Sequence, residues 1–101
     1  MNGINCIAVL KALSEPTRLR ILRQLLKDRR SVNEVAEQLK VSQYNVSKHL
    51  RILREAGLLE VEKQGKLHLY TVAPRLRKHL ENNANTLALD CCTFRFDKLP
   101  K

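Results

Sequence analysis

Ser31-Val-Asn-Glu-Val-Ala-Glu-Gln-Leu-Lys40 runs directly into Val41-Ser-Gln-Tyr-Asn-Val-Ser-Lys-His-Leu-Arg-Ile-Leu-Arg-Glu-Ala56, and this stretch decides the fold. Ser31 followed by Glu34 fits a capping box, in which each side chain satisfies a free backbone N–H at a helix start. Val32, Val35, Ala36 and Leu39 then fall on one helical face. Lys40-Val41-Ser42 is the turn, with Val41 placed to plug the angle between two helices. Ser42 caps the second helix, on which Val46, Leu50 and Leu53 repeat at spacings of four and three. The spacing predicts a short helix, a tight turn and a longer helix, each with one buried stripe.

The unburied face of the second helix carries Gln43, Tyr44, Asn45, Ser47, Lys48, Arg51 and Arg54, and no carboxylate until Glu55. Gln and Asn can pair with a base edge through two hydrogen bonds, Ser can reach bases or phosphate, and Lys and Arg neutralise phosphate. A merely solvated polar face is the ordinary reading of such a stripe. The missing carboxylates and the helix-turn geometry favour DNA contact instead.

Working outward, Ile4, Ile7, Ala8, Leu10, Ala12 and Leu13 pattern a first helix that contains Cys6. Ser14-Glu15-Pro16-Thr17 starts a second helix, with Ser14 as the cap and Pro16 in the first turn. Leu19, Leu22, Leu25 and Leu26 form its buried stripe, widened by Ile21. Arg18, Arg20 and Arg23 point elsewhere; phosphate contact and a solvated or ion-paired role stand equally open for each. Asp28-Arg29-Arg30 is a polar break. Downstream, Gly57 ends the long helix in a left-handed conformation. Leu58 to Lys63, a Gln64-Gly65 turn and Lys66 to Val72 read as a two-stranded hairpin. Leu67, Leu69 and Thr71 are expected on one side, and Lys66, His68, Tyr70 and Val72 on the other. Lys63 and Lys66 flank the tip. Pro74 opens a last helix with a stripe at Leu76, Leu80, Ala84 and Leu87. Asn82, Asn83 and Asn85 weaken helix propensity near its end. Cys92, Phe94 and Phe96 alternate in a tail expected to be a short strand or extended arm. The organisation is one domain over 1–87 and a tail over 88–101 bearing Cys91-Cys92.

The 101 residues support a single modest core, which dimerisation would help to stabilise. Only 4% of residues are aromatic, against 44% hydrophobic, which favours aliphatic helix packing over stacking platforms for single strands. A net charge of +9, from 19 basic and 10 acidic residues, suggests an anionic partner. No apolar run nears the ~20 residues that cross a bilayer. No basic start followed by an apolar run marks a signal peptide. The expected location is the cytoplasm, with no membrane partner. There the three cysteines read as free thiols, thiolate ligands or redox sensors rather than a disulfide framework.

Leu13-Ser-Glu-Pro-Thr-Arg-Leu-Arg-Ile-Leu22 and Val46-Ser-Lys-His-Leu-Arg-Ile-Leu-Arg-Glu-Ala-Gly-Leu58 resemble the second-helix and recognition-helix motifs of the ArsR/SmtB family. The two motifs stand at the expected separation, and the likeness covers roughly residues 5 to 80. It implies a mostly α fold with a small β-hairpin, a winged helix-turn-helix dimerised through the first and last helices. It implies a homodimeric repressor of double-stranded operator DNA, released by an inducer that is often a metal or metalloid. The expected DNA-binding residues are Ser42, Gln43, Tyr44, Asn45, Ser47, Lys48, His49 and Arg51, with Lys63 and Lys66 on the wing.

The family's Cys-x-Cys pair in the first helix of the helix-turn-helix is absent, since Asn33-Glu34-Val35-Ala36-Glu37 stands there. Its Asp and His zinc ligands on the last helix are not reproduced by Pro74-Arg75, His79 and Glu81. His68 and His79 are lone histidines, read as non-ligands. Cys91 and Cys92, joined by Cys6, remain as the candidate metal site. Three thiolates suit a soft ion such as trivalent arsenic or antimony. Redox or persulfide sensing, and simple packing, are the open alternatives. A winged helix that binds protein rather than DNA predicts acidic or apolar residues on the exposed face of the second helix, which Gln43, Asn45, Lys48 and Arg51 oppose. An enzyme lacks a nucleophile–base set or a phosphate-cradling glycine loop.

Overall fold

The structure is a computed structural model that describes residues 5–101. Its elements run α1 (Cys6–Leu13), α2 (Pro16–Lys27), β1 (Arg30–Ser31), α3 (Val32–Leu39), α4 (Gln43–Glu55), β2 (Leu59–Gln64), β3 (Leu67–Val72), α5 (Pro74–Asn82), β4 (Thr86–Ala88), β5 (Thr93–Arg95) and a 3-10 turn over Phe96–Lys98. Ile4, expected in the first helix, lies outside the described residues.

The helix pair forms as its residues dictate. The Ser31 hydroxyl accepts from the Glu34 N–H at 3.2 Å while the Glu34 carboxylate accepts from the Ser31 N–H at 3.0 Å. Lys40 takes the left-handed conformation, φ 56°, which ends α3 and turns the chain. Ser42 then caps α4 through the Asn45 N–H at 3.2 Å. Val35, Ala36 and Leu39 of α3 and Val46, Leu50 and Leu53 of α4 are buried, and Val41 is partly buried against the same core.

Three local expectations need correction. Ser14 does not cap α2. Its hydroxyl donates back to the Lys11 carbonyl at 2.8 Å and closes α1. Glu15 is the cap, accepting from the Arg18 N–H at 2.9 Å, because Pro16 at the first helical position assigns the cap to the residue before it. On α2 the fully buried residues are Ile21, Leu22 and Leu25, while Leu19 and Leu26 are half-buried. The Asp28-Arg29-Arg30 break is also more than a break. Its end forms β1, which pairs antiparallel with β3 at Arg30 to Tyr70 and Ser31 to Leu69. The sheet is three-stranded, in the order β1-β3-β2.

The hairpin forms, paired from Leu59 opposite Val72 to Gln64 opposite Leu67, so its turn is Gly65-Lys66 rather than the expected Gln64-Gly65 and Gln64 belongs to β2. Gly57 (φ 84°) and Gly65 (φ 62°) both take the left-handed conformations their turns demand. The expected two-sided alternation on β3 is replaced by a gradient. Leu67 and His68 near the tip are exposed, Leu69 and Val72 are buried, and Tyr70 and Thr71 are half-buried. Exposure falls from the tip toward the base on β3, while Glu60 and Glu62 of β2 stay exposed.

The last helix stops at Asn82, short of Ala84 and Leu87. Ala84 and Asn85 are left-handed, φ 53° and 61°, and the Asn83 amide donates to the His79 carbonyl. Asn residues offer such local alternatives to the helical ladder. Leu87 is nevertheless fully buried, delivered to the core from β4, and Phe96 and Leu99 of the tail join it. β4 pairs with β5, so residue 88 lies inside a hairpin. Among the described residues no helix is long and apolar enough to cross a membrane.

Leu50 is wholly buried. Leu50→Ala should therefore cost ~2–5 kcal/mol of stability, read as a drop in the urea midpoint. Ser31→Ala should cost ~0.5–2 kcal/mol through the lost cap. A negligible loss for Leu50→Ala would show that α4 is not seated by this stripe.

Candidate nucleic-acid interface

Burying Val46, Leu50 and Leu53 fixes the rotation of α4 and leaves Gln43, Tyr44, Asn45, Ser47, Lys48, Arg51 and Arg54 exposed. The thirteen residues of α4 span about 20 Å, and a helix fits the major groove of B-DNA. Its first turn has no acidic residue, so the positive end of the helix dipole is left open to an anion. Tyr44 is 72% exposed, and the Lys48 ammonium lies 5.5 Å from its ring centroid, a cation–π contact that orients the lysine. Arg51 approaches Glu55 one turn on, at 3.6 Å; so exposed a pair binds weakly and leaves the arginine available. The Ser42 hydroxyl is committed to the cap. Lys63 and Lys66 are both exposed at the hairpin tip, where Lys66 lines a shallow groove with Ser31, Asn33 and His68.

His49 differs from the other expected contact residues. It is half-buried and faces the start of α2, with Nδ1 3.1 Å from an Arg18 terminal nitrogen and 3.8 Å from Glu15 Oε2. Burial pushes its pKa below the usual imidazole value; Glu15 opposes that shift, and Arg18 and Lys48 reinforce it. Burial would raise the Glu15 carboxyl, but hydrogen bonds from the backbone N–H groups of Arg18 and Thr17, together with His49 and the Thr17 hydroxyl, hold it below the ordinary range.

Two arginines have roles that spacing did not reveal. Arg18 donates to the Lys11 and Ala12 carbonyls at 3.0 and 2.7 Å, closing the end of α1. Arg77 of α5 donates to the Leu25 and Leu26 carbonyls at the end of α2. Their only sequence signal is a basic residue on a half-buried face, and the partners of Arg77 lie about fifty positions away.

The cysteines divide. Cys6 of α1 and Cys91 of the β4–β5 connection form a disulfide with Cα atoms 6.3 Å apart, and Cys92 is a half-buried free thiol. Cys6 thus meets the Cys91-Cys92 pair as the sequence suggested, but two of the three sulfurs are bonded to each other. Among the described residues no group of three or more His, Cys, Asp or Glu side chains is gathered to hold a metal ion. His68 is exposed, and His79 is half-buried on α5.

A helix-turn-helix domain family matches residues 13–62. The chain is 39% identical over 72 residues to the transcriptional repressor SmtB of Mycobacterium tuberculosis, covering 71% of this chain and about half, 53%, of that protein. It is 38% identical over 90 residues to a probable mercury resistance operon repressor of Streptomyces lividans, covering 82% and 71% of the two chains. The homodimeric winged helix-turn-helix DNA-binding domain of Mb0332 from Mycobacterium bovis superposes with a TM-score of 0.66 at 29% identity, over 77% of this chain and 76% of that one. The fold and these relatives are those of transcriptional regulators, not of enzymes. With its two helix motifs, its hairpin wing and its overlap with these repressors, the chain belongs to the ArsR/SmtB family of winged helix-turn-helix transcriptional regulators.

Proposed function

We propose that the protein is a homodimeric, sequence-specific repressor in the cytoplasm that binds a pseudo-palindromic operator and is released by a signal acting on its cysteines. The observation that carries the DNA reading is the exposed face of α4 from Gln43 to Arg51, polar and basic without a carboxylate. In this reading Gln43, Tyr44, Asn45 and Ser47 approach base edges, while Lys48, Arg51, Lys63 and Lys66 meet phosphates. Ser42 contributes through the end of the helix it caps. Two copies related by a two-fold axis would place their recognition helices about one turn, ~34 Å, apart or a multiple of it. Ile7, 57% exposed on α1, supports a partner chain on that helix. SmtB and the mercury resistance repressor are themselves named as repressors.

The signal has two readings. Reduced, Cys6, Cys91 and Cys92 are the soft donors that trivalent arsenic or antimony prefers. In the disulfide state only Cys92 offers a thiol, so the residues as they stand do not fit such an ion. The Cys6–Cys91 bond favours the second reading, a thiol redox switch. A dithiol supplies two electrons and two protons, the disulfide becomes two thiols, and the dithiol leaves as its own disulfide. That frees the tail from α1. Either signal acts by binding or stabilising one arrangement of the dimer more than the other.

Operator affinity should fall steeply with salt, at a log–log slope near −0.9 per neutralised phosphate. Gln43→Ala should cost ~1–3 kcal/mol on the operator and much less on random duplex, whereas Lys48→Ala and Arg51→Ala should weaken both about equally. Indifference to salt in a fluorescence-anisotropy titration sinks the DNA reading. Equal losses for Gln43→Ala on both duplexes show that it reads no base.

The signal is tested on the same complex. A dithiol and then peroxide should move operator affinity by about fivefold or more, the usual lower range of coupling between sites. Cys6→Ser should abolish that response. Arsenite acting on the reduced protein, and failing on the Cys91→Ser, Cys92→Ser variant, would support the metalloid reading instead.

A further inference from the structure

We propose that Arg18 and His49 form the joint that holds the recognition helix in its DNA-reading pose, and that protonating His49 opens the joint by passing the imidazole from Arg18 to Glu15. This rests on the reading of α4 as the DNA-reading helix.

Arg18 is engaged on every side. Nε donates to the Ala12 carbonyl, one terminal nitrogen donates to the Lys11 carbonyl, and the other reaches His49 Nδ1 at 3.1 Å. Its backbone N–H donates to Glu15 Oε2. One side chain therefore spans the end of α1, the start of α2 and the middle of α4. A guanidinium only donates. Nδ1 must then accept, which places the imidazole proton on Nε2 and requires the neutral ring. His49 sits one helical turn beyond Asn45 and one position beyond Lys48 on α4. A change in its anchorage turns the face that carries both.

Protonation reverses the geometry. Nδ1 gains a proton, can no longer accept from Arg18, and becomes a donor with Glu15 Oε2 only 3.8 Å away. The charged groups acting on the ring are Glu15 and Arg18 from α2 and Lys48 from its own helix. α1 offers the guanidinium only backbone carbonyls. Burial, Arg18 and Lys48 outweigh Glu15 and hold the folded pKa below the ordinary imidazole value, so the joint is made at neutral pH. A depressed folded pKa gives a contribution that is present above the unfolded value of about 6.5 and lost as pH falls through the folded one.

The test uses the full chain, a duplex selected by the wild type from a random pool, and a scrambled duplex of equal length. The affinity ratio between the two is followed from pH 7.5 to 5.0 at constant ionic strength. For the wild type the ratio should fall about tenfold on acidification, roughly one hydrogen bond's worth. Affinity for the scrambled duplex should hold or rise, since an added positive charge favours phosphate. His49→Leu should show the reduced ratio at every pH. His49→Gln, whose amide oxygen accepts from Arg18 and does not titrate, should recover most of that loss and give a flat profile. Urea midpoints check that each variant folds; if His49→Leu does not, the His49→Gln profile decides. An acid loss in His49→Gln equal to the wild type's, or a wild-type ratio in folded His49→Leu, overturns the joint. A wild type that prefers no duplex overturns the repressor reading and this proposal with it.

Discussion

Val46, Leu50 and Leu53 have no exposed surface, and most of what makes this molecule useful depends on where they sit. Burying a large aliphatic side chain stabilises by about 1.5–3 kcal/mol. An exposed ion pair such as Arg51–Glu55 contributes about 0–1 kcal/mol. The apolar stripe therefore sets the rotation of α4, and the polar face follows from the helical period. The caps at Ser31 and Ser42, the left-handed Lys40 between them and Gly57 at the exit fix where the helix begins and ends.

The wing is held from two sides. β3 lies between β1 and β2, so its register is set both by the Gly65 turn and by Arg30 and Ser31 on the far edge. A two-stranded hairpin alone is marginally stable; the third strand and the helices under its base remove that weakness. The tip, with Lys63 and Lys66, stands exposed. Arg29, just before β1, pairs with Glu62 of β2 at 3.0 Å.

The positive charge is not all of one kind. Arg18 and Arg77 direct their guanidinium groups at the carbonyl ends of α1 and α2, where cations complement the negative end of a helix dipole. These charges tie helices together, while Lys48, Arg51, Arg54, Lys63 and Lys66 stand in solvent. A net charge of +9 thus overstates what a phosphate backbone would meet. The tail is built in rather than appended: Leu87, Phe96 and Leu99 enter the core, and Cys91 is bonded to the first helix.

The sequence by itself determined the helix pair, both of its caps, the buried stripe of α4, the polar face opposite and the presence of the hairpin. All of these depend on neighbours within a few positions, where the periods of 3.6 and 2 act directly. It erred first at local competitions. Ser14 was the expected cap of α2, and Pro16 at the first helical position gave that place to Glu15. Ala84 and Leu87 continued a helical spacing that the Asn residues broke. What only the tertiary structure decided lies between distant parts of the chain. Such contacts are β1 against β3, Arg18 against His49 across 31 positions, Arg77 against the end of α2, and Cys6 against Cys91 across 85. No local period encodes these pairings. They arise when burial of the shared core brings the chain segments together, and hydrogen bonds and sulfurs then find the partners that packing has placed within reach.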